Sequence, residues 1–113
     1  VSDRATFDLW PSKLNRLLEI GEQLAEAKAD LENLNNIKAT VVAMAMKASG
    51  ESAVAAQQRE AHASESYRQW CLDAYAATKR YEGLRLRYQA ALLWFEMARS
   101  TESSKREEMR LAR

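Results

Sequence analysis

At 113 residues and a formal net charge of +1, the chain has room for one domain and no more. Three glycines and one proline leave too little turn chemistry for a β-rich fold. No run approaches the roughly 18 apolar residues that a membrane-spanning helix needs, and the charge lacks the strong basic excess of a dedicated nucleic-acid binder.

The first residues, "VSDRATFDLWPSK", read as a lead-in, with Pro11 suited to a first helical turn where its missing N–H costs nothing. A helix is expected over about 12–48. Leu17, Leu24 and Leu31 recur every seven residues, and Ile20, Ala27, Leu34, Val41 and Ala48 follow three later each time. That spacing is an apolar a/d seam. Lys38 breaks it at an a position beside Asn35 and Asn36. It reads either as a snorkelling side chain over a loosened stretch or as a device that specifies register.

"KASGES" then marks a turn over about 49–51. Gly50 is placed to take the left-handed conformation that ends a helix, and Ser49 or Ser52 is placed to cap the next one. A second helix is expected over about 52–100. Its weakest point is "HASESY" at 62–67, where Ser64 is suited to capping a new helix. The remaining residues, 101–113, form a polar, basic tail that continues the helix and frays.

On the second helix Tyr67, Ala74, Tyr81, Tyr88 and Phe95 share one heptad position, and Trp70, Ala77, Leu84, Ala91 and Ala98 share the other. Large rings alternating with small residues suit interdigitation with a facing helix. Arg80, Arg85, Arg87 and Arg99 fall at the flanking positions, so the aromatics are assigned to a core rather than to a base-stacking surface. The expected fold is all-α: a long, antiparallel, coiled-coil-like helical hairpin forming a single domain.

A second stripe lies on the opposite face of that helix: Leu72, Leu86 and Leu93, with Ala76, Gly83, Ala90 and Met97 beside them. One facing helix cannot cover both sides, and a helix apolar on two sides belongs inside something larger. These seven residues are therefore expected to form an oligomer interface, most simply a homodimer that makes a four-helix bundle.

Chemistry-bearing clusters are missing. One histidine and one cysteine, nine residues apart on different faces, make neither a catalytic pair nor a zinc site. Glu19, Glu22 and Glu26 follow helical spacing without an E-x-x-H partner. No enzyme activity, catalytic residue, cofactor or metal is expected. Residues 1–66 carry 7 basic and 10 acidic side chains, and residues 67–113 carry 10 basic and 6 acidic. The basic end offers Arg99, Lys105, Arg106, Arg110 and Arg113 as nucleic-acid contacts, interleaved with Glu102, Glu107 and Glu108. The lone Cys71 fits a reducing compartment. With no apolar run after a charged N-terminal segment, no secretory signal is expected, and the expected location is cytoplasmic.

The segment "QQREAHASESYRQWCLDAYAATKRYEGLRLRYQAALLWFEMARSTESSKRE" resembles a group of short phage and prophage proteins. The shared pattern is an alanine-rich arm with Ala63, Ser64, Glu65, Tyr67 and Arg68, then Leu84 and Arg85, then Glu96, Arg99 and Ser100 before a basic end. The resemblance covers roughly residues 50–106. It implies an accessory role beside recombination and replication proteins in a bacterial host cell, with a phage or host protein as partner. Direct nucleic-acid binding is the alternative.

Overall fold

The structure is a computed structural model that describes residues 3–112, with side chains from Leu9 onward. It contains three α-helices, α1 (Asp3–Ala48), α2 (Val54–His62) and α3 (Glu65–Ala112), and no strand among the described residues. The all-α helical hairpin expected from the heptads is the fold observed.

Three boundaries differ from expectation. Helix α1 begins at Asp3, so Pro11 lies inside it rather than in its first turn. Proline removes one rung of the helical ladder, and tertiary packing of the neighbouring Trp10 offsets that loss. Trp10 sits seven residues before Leu17, in the same seam row, and meets Trp94 and Phe95 edge-on at 6.1 and 5.3 Å between ring centroids.

The helix expected over 52–100 is two helices, broken after His62. Ser64 makes the break. Its Oγ donates to the Ala61 carbonyl and accepts the Tyr67 N–H at 3.2 Å, while its carbonyl accepts the Arg68 N–H at 3.0 Å. One residue thus closes α2 and opens α3, the N-cap role for which serine is preferred. At its far end α3 continues to Ala112 rather than stopping near residue 100. Glu102–Arg106 and Glu107–Arg110 pairs along the last turns suit that extension.

Gly50 takes the left-handed conformation, with φ of 74°. Ser49 caps the end of α1, its Oγ donating to the Met46 carbonyl at 2.7 Å and accepting the Glu51 N–H at 3.2 Å. Neither Ser49 nor Ser52 caps α2, whose N-cap is Ala53 without a side-chain bond. Gln57 instead ties the turn down, its Nε2 donating to the Glu51 carbonyl at 2.7 Å.

Contacts divide the chain into two compact units. One comprises Ala25–Glu82: the second part of α1, all of α2 and the first part of α3. Here Trp70 donates its indole N–H to the Leu34 carbonyl at 2.8 Å, and Arg80 reaches Asp30 at 3.3 Å. The other unit pairs the chain up to Leu24 with the chain from Gly83 onward. Its core gathers Trp10, Ile20, Leu84, Tyr88, Phe95 and Ala98, with the Tyr88 ring 3.6 Å from the position a Gly21 Cβ would occupy.

The seam follows the heptads closely. All ten α3 positions assigned to it are buried or half-buried. On α1 the same holds except for Lys38 and Ala48, which are exposed; Ala45, seven residues after Lys38, is buried instead.

Candidate functional site: the outer face of α3

A helix that gives one stripe to its own hairpin turns the opposite side outward. On α3 this outer side carries apolar residues, with the exposed Lys79 interrupting the leucine row between Leu72 and Leu86. In the unit that includes residues 83–112, Leu86 is 61% exposed, Leu93 56% and Met97 69%, and Gly83 and Ala90 beside them are also exposed. In the other unit Leu72 is 53% exposed and Ala76 is open to solvent. All seven residues assigned to an interface thus lie outside the hairpin core. The described chain covers none of them substantially.

Single exposed leucines are common on protein surfaces, whereas contiguous apolar patches mark interaction sites. Leu86, Ala90, Leu93 and Met97 follow the i, i+4, i+7, i+11 spacing of one helical face. Leu14 and Leu18 of α1 are also largely exposed. The heptad reading did not single them out.

Trp10 was hidden in the apparent lead-in. The signal available for it was its register, one heptad before Leu17. Its indole Nε1 is buried without an acceptor among the described residues, a cost of about 1–3 kcal/mol for an unmade hydrogen bond. Beside it lies a shallow cleft of about 240 Å³ lined by Trp10, Leu92, Phe95, Glu96 and Arg99.

Lysines hold two tryptophans. The Lys38 ammonium stands 5.1 Å from the Trp70 ring centre and the Lys13 ammonium 5.4 Å from that of Trp94, both within cation–π range. Lys38 remains exposed beside the ring whose N–H reaches the Leu34 carbonyl, a placement that suits a snorkelling side chain.

The basic end is largely engaged with its own acids. Arg106 lies 3.6 Å from Glu102, and Arg110 makes two bonds to Glu107. Lys105 is half-buried and has an interaction of its own. Arg99 is exposed at the shallow cleft, and Arg113 lies outside the described residues. Exposed pairs of this kind hold weakly, typically within about 1 kcal/mol. They offset part of the local positive charge without locking the cations away.

His62 and Cys71 are both exposed. His62 lies edge-on to Tyr67 at 4.8 Å between ring centres. A hydrogen bond with Cys71, and desolvation after it, raises the Tyr67 phenol above its ordinary value. Among the described residues no group of three or more His, Cys, Asp or Glu is placed to hold a metal ion. No described helix is long and apolar enough to cross a membrane. No family model matches the chain, and neither a curated protein nor a solved structure matches it.

Proposed function

We propose that this protein is a non-enzymatic, oligomeric interaction module, a helical hairpin whose working surface is the outer face of α3. The observation that carries the reading is the apolar stripe Leu86–Ala90–Leu93–Met97, exposed on the side of α3 away from its packed seam. Of the α3 rings, Tyr81, Tyr88 and Phe95 are half-buried in the seam and Tyr75 is 70% exposed, so no run of open rings is presented as a platform for bases. The resemblance to small phage proteins supports an accessory role docking on a recombination, replication or host protein inside a bacterial cell.

Direct nucleic-acid binding through Arg99, Lys105, Arg106, Arg110 and Arg113 is the competing reading. Pairing of Arg106 and Arg110 with neighbouring glutamates weighs against it.

Affinity capture from phage-infected cells, with wild-type protein beside Leu86→Glu/Leu93→Glu and a form lacking residues 101–113, separates the two. The interaction reading expects a protein partner retained by wild type and by the truncated form and lost by the double variant. Submicromolar DNA binding that falls steeply with salt and disappears with the tail would replace it.

A further inference from the structure

We propose that the outer face of α3 takes a second copy of this chain, with its α3 antiparallel across a two-fold axis. The inference rests on the reading of that face as a docking surface. Gly83 is the first observation. A Cβ built there meets nothing within 4 Å, and the residue lies within a long helix without positive φ. Neither a turn nor a neighbour among the described residues calls for glycine. A glycine inside a helix weakens it relative to alanine. The weakness is offset where another helix comes close enough to need the missing Cβ.

The second observation is the arrangement of the rows. Gly83 and Ala90 are seven apart in one row, Leu86 and Leu93 seven apart in the adjacent row, each leucine three residues after a small one. All four are exposed. In a parallel, in-register pair, Gly83 would face Gly83 and Leu86 would face Leu86. Thin and thick layers would then alternate, and no single helix separation fills both.

Turning the second helix around sets the leucine row of each copy on the small row of the other. Leu93 then seats on Gly83 and Leu86 on Ala90 of the second copy, and the two-fold repeats both contacts. Each of these layers has one large and one small member, while Met97 falls opposite Lys79 of the second copy. The face thus supplies both halves of the match, which points to a second copy as its occupant. Arg87 approaches its counterpart near the axis in this register, an exposed repulsion that solvent screens.

The stripe from Gly83 to Met97 covers about 21 Å of helix. That is less surface than the roughly 800 Å² per partner of a standard interface, so a weak, concentration-dependent dimer is expected. Sedimentation from about 10 to 500 µM should show concentration-dependent dimerisation. Gly83→Ala should raise the thermal midpoint of the dilute monomer yet weaken dimerisation at least several-fold, and Gly83→Leu should abolish it with helix content retained.

Orientation is read by a spin label at Ser100→Cys, an exposed site, in a Cys71→Ser background. The antiparallel register expects labels about 36 Å apart, from 1.5 Å of rise per residue; a parallel pair brings them within about 20 Å, one helix separation of about 10 Å plus the label arms. A short label distance, or a dimer unaffected by Gly83→Leu, overturns the proposal. A monomer at about 500 µM also overturns it, while the interaction reading stands if Leu86→Glu/Leu93→Glu still abolishes capture of another protein. A dimer that survives Leu86→Glu/Leu93→Glu also overturns the proposal, and the interaction reading falls with it only if capture of another protein survives the double variant too.

Discussion

Replacing Trp70 by phenylalanine tests whether its contacts hold the hairpin in register. The substitution keeps a ring in the seam but removes the N–H that reaches the Leu34 carbonyl at 2.8 Å. That carbonyl retains its place in the α1 ladder, so the loss is one bond rather than an orphaned acceptor, about 1 kcal/mol. The smaller ring gives up roughly one methylene-equivalent of half-buried surface, about 0.8 kcal/mol. Lys38, 5.1 Å from the indole centre, loses part of a cation–π interaction worth about 0.5–1 kcal/mol at an exposed site. The total is about 2 kcal/mol. Urea unfolding followed by far-ultraviolet circular dichroism should show the lower midpoint with an unchanged slope. Repeating it in a Lys38→Met background should recover a coupling of about 0.5 kcal/mol. A Trp70→Phe cost under about 0.5 kcal/mol would refute the reasoning, because the cross-helix bond would then contribute nothing to holding the register.

The remaining expectations concern the turn and the break. Ser64→Ala should cost about 1 kcal/mol and loosen amide-exchange protection around residues 62–68, since the same side chain serves Ala61 and Tyr67; unchanged protection would show that the break does not depend on it. Gly50→Ala should destabilise by about 1 kcal/mol, from the left-handed backbone alone, because a Cβ there meets nothing within 4 Å. Asn at the same position should recover part of that stability in thermal melts, and an alanine variant as stable as wild type would contradict the assigned φ.

Heptad arithmetic located the packed seam because burial in a helical hairpin follows local periodicity. Tyr67 through Phe95 and Trp70 through Ala98 were legible for that reason, and so was the stripe that the hairpin leaves uncovered. The lead-in misled because proline was read from its local preference, which places it in a first turn. The contact that draws Trp10 inward comes from Trp94 and Phe95, more than eighty residues away in the chain. Ser64 shows a different limit. Its capping chemistry is visible in "HASESY", but no glycine or proline stands there and apolar spacing resumes at Tyr67 and Trp70, so spacing alone does not separate a weakened helix from a broken one.

Residue spacing alone specified an all-α chain, a turn at Gly50 and two apolar faces on the second long helix, because each of these depends on neighbours within a few residues. Contacts between distant segments settled the start of α1 at Asp3, the indole–carbonyl bond from Trp70 to Leu34, and the placement of Lys38 and Lys13 over tryptophan rings. They also showed that a Cβ at Gly83 would meet no described residue within 4 Å. These were beyond the sequence because a heptad position says which way a side chain points and leaves open what it meets. Which carbonyl, ring or empty space lies opposite depends on the axial stagger of two helices, and many staggers preserve the same pattern of apolar rows.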